Sequence, residues 1–176
     1  MVYVVTVLAV LVALDLFLTL GVIRRLREHT RLLANVSADP IGPGIVTTGE
    51  RVGEYEATTV DGRSVRRADL AGGPTVVGFF SVSCPACERR IPEFLAYTQD
   101  GPARVLAVVV GSGELADAMC ARLAAVPGVV VREPDEEGPI VRAFAVTAYP
   151  AFALVDGDGA VLEGGASFPQ TALSHA

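Results

Sequence analysis

Residues 75–92 read Thr75-Val76-Val77-Gly78-Phe79-Phe80-Ser81-Val82-Ser83-Cys84-Pro85-Ala86-Cys87-Glu88-Arg89-Arg90-Ile91-Pro92. The apolar run Thr75 to Phe80 has strand length, and two cysteines follow at a spacing that fits the first turn of a helix continuing from Glu88 to Ala96. Thiols so placed can close a disulfide with little backbone movement. At a helix start the unpaired backbone N–H groups and the helix dipole favour a thiolate on Cys84. Pro85 suits the first helical position, where its missing N–H has no intrahelical use. Cys87 lies one turn further in and can resolve a mixed disulfide from within the same turn. Half of a zinc site and a pair of inert thiols are the competing readings. Zinc lacks a second cysteine pair, and His29 and His175 stand near the chain ends. Dithiol redox chemistry, with the Cys84–Cys87 disulfide in place of any cofactor or metal, is the reading these residues favour.

Working outward, turn signals divide the rest into short elements. Tyr55 to Val60 and Ser64 to Val65 flank Asp61-Gly62, a hairpin signal. Arg104 to Val110 is a second continuous apolar run, and Leu115 to Ala125 is helix-like before Pro127-Gly128. Val129 to Val131 reads as a strand and Ile140 to Phe144 as a short helix. Ala151 to Val155 and Ala160 to Leu162 form a hairpin around Asp156-Gly157-Asp158-Gly159. Continuous apolar runs in mid-chain imply strands buried on both faces, as in an α/β sandwich, and the element order fits one central sheet. Tyr149-Pro150 opens a strand. The residues alone fit a trans bond as well as a cis one, and a cis bond would present the Tyr149 backbone to a peptide bound beside Cys84.

Val2 to Ile23 holds one charge, Asp15, in 22 residues. At about 1.5 Å per residue it reaches about 30 Å, the thickness of a bilayer core. No positive region precedes it and no small-residue cleavage site closes it, so it reads as an anchor rather than a cleaved signal. The expected organisation is a transmembrane anchor over 1–23, a juxtamembrane helix and flexible linker over 24–50, and a domain over 51–176. Residues 37–50 are placed in the linker by Pro40, Gly42, Pro43, Gly44 and Gly49. Arg24, Arg25, Arg27 and Arg31 follow the span, which by the positive-inside rule puts the domain in the cytoplasm.

The formal charge of −6 and the pI near 4.9 argue against a nucleic-acid surface. All 14 basic side chains are Arg, which removes Lys as a thiolate-stabilising group. Other candidates have plainer readings. Cys120 reads as core packing and Asp156 to Gly159 as a turn lacking the ligand count of a calcium loop. Gly111-Ser112-Gly113 is too short for a phosphate loop, and Glu133 to Glu137 reads as a solvated acidic loop.

The order and spacing of several segments resemble the thioredoxin-fold thiol–disulfide oxidoreductases. They are Asp61-Gly62-Arg63, Ala68-Asp69-Leu70-Ala71-Gly72, Phe79 to Cys87 with Ile91-Pro92, Arg142-Ala143-Phe144-Ala145-Val146, Pro150 and Asp156 to Gly159. With the apolar N-terminus, the chain resembles the membrane-anchored TlpA/ResA-like group and within it the MauD-like branch. The resemblance implies a thioredoxin-like three-layer sandwich with a mixed central sheet, preceded by a single N-terminal transmembrane helix. It implies that Cys84 attacks, that Cys87 resolves, and that Pro150 is a cis-proline facing the disulfide with the Tyr149 backbone beside the substrate. Relatives of this kind act outside the cytoplasmic membrane, on apo-cytochromes or maturing partner enzymes. That implies protein clients with cysteines or disulfides, a membrane electron donor or acceptor, and an extracytoplasmic domain, against the arginine flank.

Three positions depart from the family pattern. Ser83 stands where a Trp precedes the first cysteine. Gly78 stands where thioredoxin has a buried acid, and Arg90 where ResA-type members have Glu. Cys87 is thus left without an evident general base. Arg90, if it reached the pair, would favour thiolates and a more oxidising couple, with Pro85 and Ala86 as the other modulating residues. The chain also stops soon after Pro169, where the usual last helix would begin, so that edge of the sheet is expected to be thinly covered or completed by another surface. A non-catalytic accessory protein for a partner enzyme is the alternative. A thiol peroxidase is a lesser one, because the proline of that motif falls on Val77.

Overall fold

The computed structural model describes residues 3, 4, 6, 44–99 and 104–170. The chain divides into two units, 1–40 and 41–176, and all the described strands belong to the second. Among the described residues no helix is long and apolar enough to cross a membrane. Apart from Tyr3, Val4 and Thr6, the expected anchor with Asp15 lies outside the described residues. So do the arginine flank and the residues after Gln170.

Seven strands and three helices are described: β1 (Glu56–Thr58), β2 (Ser64–Arg66), β3 (Thr75–Ser81), α1 (Pro85–Gln99), β4 (Val105–Val110), α2 (Glu114–Leu123), β5 (Gly128–Glu133), α3 (Pro139–Ala143), β6 (Ala151–Val155) and β7 (Val161–Gly165). A 3-10 turn spans Arg67–Gly72. The main sheet has the order β5-β4-β3-β6-β7. β3, β4 and β5 run parallel, while β6 pairs antiparallel with both β3 and β7, so the sheet is mixed.

β3 lies at the centre, and every one of its residues is buried. Because successive side chains leave opposite faces, Val77 and Phe79 enter one core and Val76 and Phe80 the other. The second core packs under α1 and α2 through Ile91, Phe94, Ala116, Met119 and Leu123. The first packs under α3 through Ile140 and Val141. This is a thioredoxin-like three-layer sandwich, and the continuous apolar runs are what two covered faces require.

Three expectations change here. The hairpin β1–β2 is a separate two-stranded sheet, not part of one central sheet. Its hydrogen bonds to the main sheet among the described residues fall at the β5 edge, where Thr59 bridges Val131 and Val60 N–H donates to the Val130 carbonyl. Short polar strands cannot supply a third buried face, so they cap an edge instead. Residues 44–50, placed in the linker by composition, pack onto the domain. Ile45 is buried, and the Val46 and Gly49 N–H groups donate to Phe144 and Val161 carbonyls. Their glycines are read locally as a linker; two of them, Gly44 and Gly49, adopt positive φ that turns the chain back onto the sheet.

The β7 edge is met by this chain itself, the Gly49 N–H donating to the Val161 carbonyl and the Val161 N–H to that of Glu50, and the residues after β7 fold over the α1 face. Phe168 stacks on Tyr97 at 5.2 Å between centroids and meets Phe152 at 4.6 Å, while the Tyr97 hydroxyl donates to the Pro169 carbonyl.

Candidate active site

The parallel strand β3 ends at Ser81, and a short turn leads to α1, with Cys84 as its N-cap. The Cys84 N–H donates to the Ser81 carbonyl at 3.1 Å. At the fourth residue of the turn, the Cys87 N–H points at the Cys84 sulfur at 3.3 Å as well as at its carbonyl. The sulfur thus takes the place an oxygen has in an ordinary N-cap. Pro85 occupies the first helical position as its chemistry dictates.

The two thiols differ in environment. Cys84 is half-buried, with its neighbours Ser83 and Pro85 exposed and Ala86 half-buried. Cys87 is fully buried (0% exposed) among the apolar residues of the α1 core. Burial pushes the Cys87 thiol well above its ordinary value, and its hydrogen bond with Cys84 adds to that. The Ser81 N–H, 3.5 Å from the Cys87 sulfur, works in the opposite direction. Both cysteines are free thiols with their sulfurs near disulfide distance.

The Tyr149–Pro150 bond is cis. The Tyr149 carbonyl stands 3.3 Å from the Cys84 sulfur, as acceptor oxygen to donor S–H. Cys84, Cys87, Tyr149 and Pro150, distant in sequence, are therefore assembled at one end of the sheet. The Tyr149 hydroxyl is buried without a hydrogen-bond partner among the described residues. Burial, with the nearby Glu136 and Glu133 carboxylates and Cys87, pushes this phenol up to about 12.

Ser83 turns its hydroxyl inward, sharing a hydrogen bond with Ser81 Oγ at 2.9 Å. It leaves the approach to Cys84 free of the large ring found at this position in thioredoxins.

Arg90 does not join the thiols. Its guanidinium lies 4.2 Å from the Phe168 ring centroid and 5.6 Å from that of Phe152. It pairs with Glu93 at 2.7 Å and donates to the Ala166 carbonyl at 3.3 Å. At this point in the helix the side chain is carried toward the β7 edge. The reason for expecting a more oxidising couple from Arg90 is thereby removed.

The missing carboxylate at Gly78 has a steric cause. A Cβ there would stand 2.8 Å from Phe94 Cζ and 3.1 Å from a Phe80 ring carbon, both in a packed core. Phe94 fills the space that a side chain on this strand position would need.

Glu133 was not legible as a buried group. It is 2% exposed, not solvated, and it closes the β5 edge. Its carboxylate accepts the Ile140 N–H at 2.7 Å and the Val141 N–H at 3.0 Å, capping α3. Burial raises its pKa, and the two N–H donors only partly offset that. The one available signal was Gly138, where a Cβ would sit 2.2 Å from Glu133 Oε2. The helix it caps leads through Phe144 and Ala145 to Tyr149, so Glu133 positions the loop that faces Cys84.

Other residues occupy the places their plainer readings assigned. Cys120 is buried in the α2 core. Asp156 accepts the Asp158 and Ala160 N–H groups as a turn-former. Among the described residues no cluster of His, Cys, Asp and Glu could hold a metal ion.

Among the solved structures similar to this chain are several thiol–disulfide proteins. A candidate thiol:disulfide interchange protein DsbE from Chlorobium tepidum is 26% identical, with 72% of this chain and 89% of that one covered and a TM-score of 0.52. MTB dsbF, solved in mixed oxidised and reduced forms, is 24% identical over 66% and 86%, with a TM-score of 0.54. The thioredoxin domain of a thiol-disulfide oxidoreductase from Bacteroides vulgatus is 19% identical over 73% and 93%, with a TM-score of 0.55. No curated protein matches. The Redoxin family profile spans residues 43–172, and on that match the chain belongs to the redoxin family, its dithiol supporting thiol–disulfide oxidoreductase activity.

Proposed function

We propose that Cys84 is the attacking sulfur, Cys87 the resolving one, and protein disulfides or dithiols the substrates. The observation that carries this is the contrast in burial: a half-exposed sulfur at a helix start beside a fully buried one. Only the thiolate is nucleophilic, so the accessible sulfur is the one a client can meet. In the reducing direction, Cys84 attacks a client disulfide, a mixed disulfide forms, and one client sulfur leaves as thiolate and takes up a proton. Cys87 then loses its proton and attacks Cys84. The mixed disulfide breaks, the Cys84–Cys87 disulfide forms, and the second client sulfur leaves. The client gains two electrons and two protons; run backwards, the same steps oxidise a client dithiol.

The Tyr149 backbone and Pro150 form the wall against which a client segment lies, given the contact of the Tyr149 carbonyl with Cys84 and the cis bond between the two residues. The apolar run Val2 to Ile23 supports a membrane tether, which raises the local concentration of the domain near membrane-bound clients and electron partners. We place the domain outside the cytoplasmic membrane, in maturation of a partner enzyme, as the TlpA/ResA-like and MauD-like resemblance suggests. The arginine flank favours the opposite side, and a reporter fused after Ala176 that works in one compartment only decides between them.

The test is a pair of variants. Cys87→Ser should arrest mixed disulfides at Cys84 and allow clients to be recovered covalently. Cys84→Ser with Cys87→Ser should abolish disulfide exchange and the cellular function together. Full function in the double variant would instead establish a non-catalytic accessory role. Peroxide consumption by the Cys87→Ser variant without protein adducts would establish a peroxidase.

A further inference from the structure

The loop that brings Tyr149 and Pro150 to Cys84 has little backbone bonding of its own. It leaves α3 through Phe144 and Ala145 and enters β6 at Ala151. Across residues 147–150, the one backbone N–H that donates to another backbone group among the described residues is that of Thr147. Its acceptor is the Gly44 carbonyl at 2.8 Å. Beside that bond, the Val46 N–H donates to the Phe144 carbonyl at 2.9 Å. Segment 44–46 thus runs along the loop and bonds to it twice.

The segment is fitted from both sides. Gly44 takes φ 62°, and a Cβ on it would stand 3.0 Å from that of Ala148. On the other side, Gly164 of β7 leaves room for the Val46 carbonyl: a Cβ there would stand 2.6 Å from that oxygen and 3.4 Å from Ile45 Cγ2. Ile45 is buried in the core that holds Phe144, Val146 and Ala151, and Tyr149 packs against the same core. The segment is wedged between β7 and the loop, with Ile45 as its anchor.

A loop with few bonds of its own is ordered from outside, or its ordering is deferred to the moment a client binds. We propose that segment 44–46 is a positioning segment for client recognition, holding loop 147–150 so that the Tyr149 backbone stands in place beside Cys84. This rests on the reading of Cys84 as the attacking sulfur and of the Tyr149 backbone as the client's wall. It separates two kinds of substrate. A peptide disulfide uses the wall, whereas a small disulfide with no peptide backbone meets only the sulfur.

The test compares reaction rates of Cys84, in the detergent-solubilised, reduced full chain, with an alanine-rich peptide closed by one disulfide and with bis(hydroxyethyl) disulfide. Ile45→Ala removes the anchor. With the grip weakened by about one hydrogen bond, the peptide rate should fall about fivefold while the small-disulfide rate holds. Ile45→Val should recover most of the peptide rate. Gly44→Ala, which presses on Ala148 without opening the core, should give the same split. Leu123→Ala makes a comparable deletion in the core on the other face of the sheet and should slow neither reaction. Equal slowing with both disulfides in Ile45→Ala, no slowing with the peptide, or the same split in Leu123→Ala would overturn the proposal. A wild type that reacts with neither disulfide would overturn the exchange reading, and this one with it.

Discussion

The Cys84 sulfur stands 3.3 Å from the carbonyl oxygen of Tyr149, a residue 65 positions later in the chain. The contact joins the start of α1 to the loop entering β6. The shape of that loop is set by what lies behind it: α3, its C-terminal turn, and the Glu133 carboxylate that caps it. The reactivity of the dithiol and the stability of this loop are consequently linked through a few named groups.

The burial of Cys87 makes reduced-state stability depend on pH. Its folded pKa is raised, so the stability it contributes is fully present below its unfolded value, about 8.5, and is lost as pH rises toward the folded value. Between about pH 8.5 and 10 the urea midpoint of the reduced protein should fall more steeply than that of the oxidised protein, which has no Cys87 thiol to ionise and keeps only the buried Cys120 thiol, also raised by burial. Equal slopes in the two forms would show that Cys87 does not carry the difference.

Removing the Glu133 carboxylate leaves the Ile140 and Val141 N–H groups buried without acceptors. Glu133→Ala should therefore cost about 2–4 kcal/mol in denaturant unfolding, with Glu133→Gln between it and the wild type. The folded pKa of Glu133 is raised, so the wild type's advantage over Glu133→Gln should be largest at acid pH and shrink as pH climbs above about 4.5. Slower resolution of mixed disulfides in the Ala variant would report the displaced Tyr149 loop.

Arg90 and Phe168 hold the β7 edge, not the thiols. Phe168→Ala should cost about 1–3 kcal/mol from lost ring contacts, and Arg90→Ala about 1 kcal/mol. Redox titration of Arg90→Ala should give a potential within about 10 mV of the wild type, where a direct charge interaction with the thiolates would move it by tens of millivolts.

The turn after α3 closes with the Val146 N–H on the Val141 carbonyl and the Ala145 N–H on that of Arg142. Ala145 occupies the left-handed position at φ 47°, where glycine is the usual residue. Ala145→Gly should raise stability by about 0.5–1 kcal/mol, read as a higher thermal midpoint. Ala145→Val should lower it.

Gly78 lacks room for any side chain beneath Phe94. Gly78→Ala should cost about 1–3 kcal/mol through overpacking, and combining it with Phe94→Leu should recover part of that loss. An additive double variant would show that the ring tip is not what the methyl meets.

Much of the fold was written locally. An apolar run long enough for a strand, followed by two cysteines and a proline at helix-start spacing, carries β3, α1 and the dithiol with no reference to distant residues. The remaining strands and helices follow from runs of apolar residues interrupted by Gly, Pro and Asp. These features depend on neighbours within one or two turns of chain, and such patterns survive in one dimension. The candidate site was readable to the same extent: Cys84 and Cys87 by spacing, and Tyr149 and Pro150 as a strand start whose cis bond the residues left open and the resemblance favoured.

What the tertiary structure decided is which polar groups are covered, and by what. Glu133 has the sequence neighbours of a solvated loop and is buried only because α3 folds back to offer it two N–H donors. Arg90 stands one turn past Cys87 and looks like a thiolate partner. The rings of Phe152 and Phe168, far along the chain, draw it to the other edge of the helix. Gly44 to Glu50 read as a linker until Phe144 and Val161 supply carbonyls for them to bond. Burial is a property of the surroundings, and the surroundings of each of these residues come from segments distant in sequence.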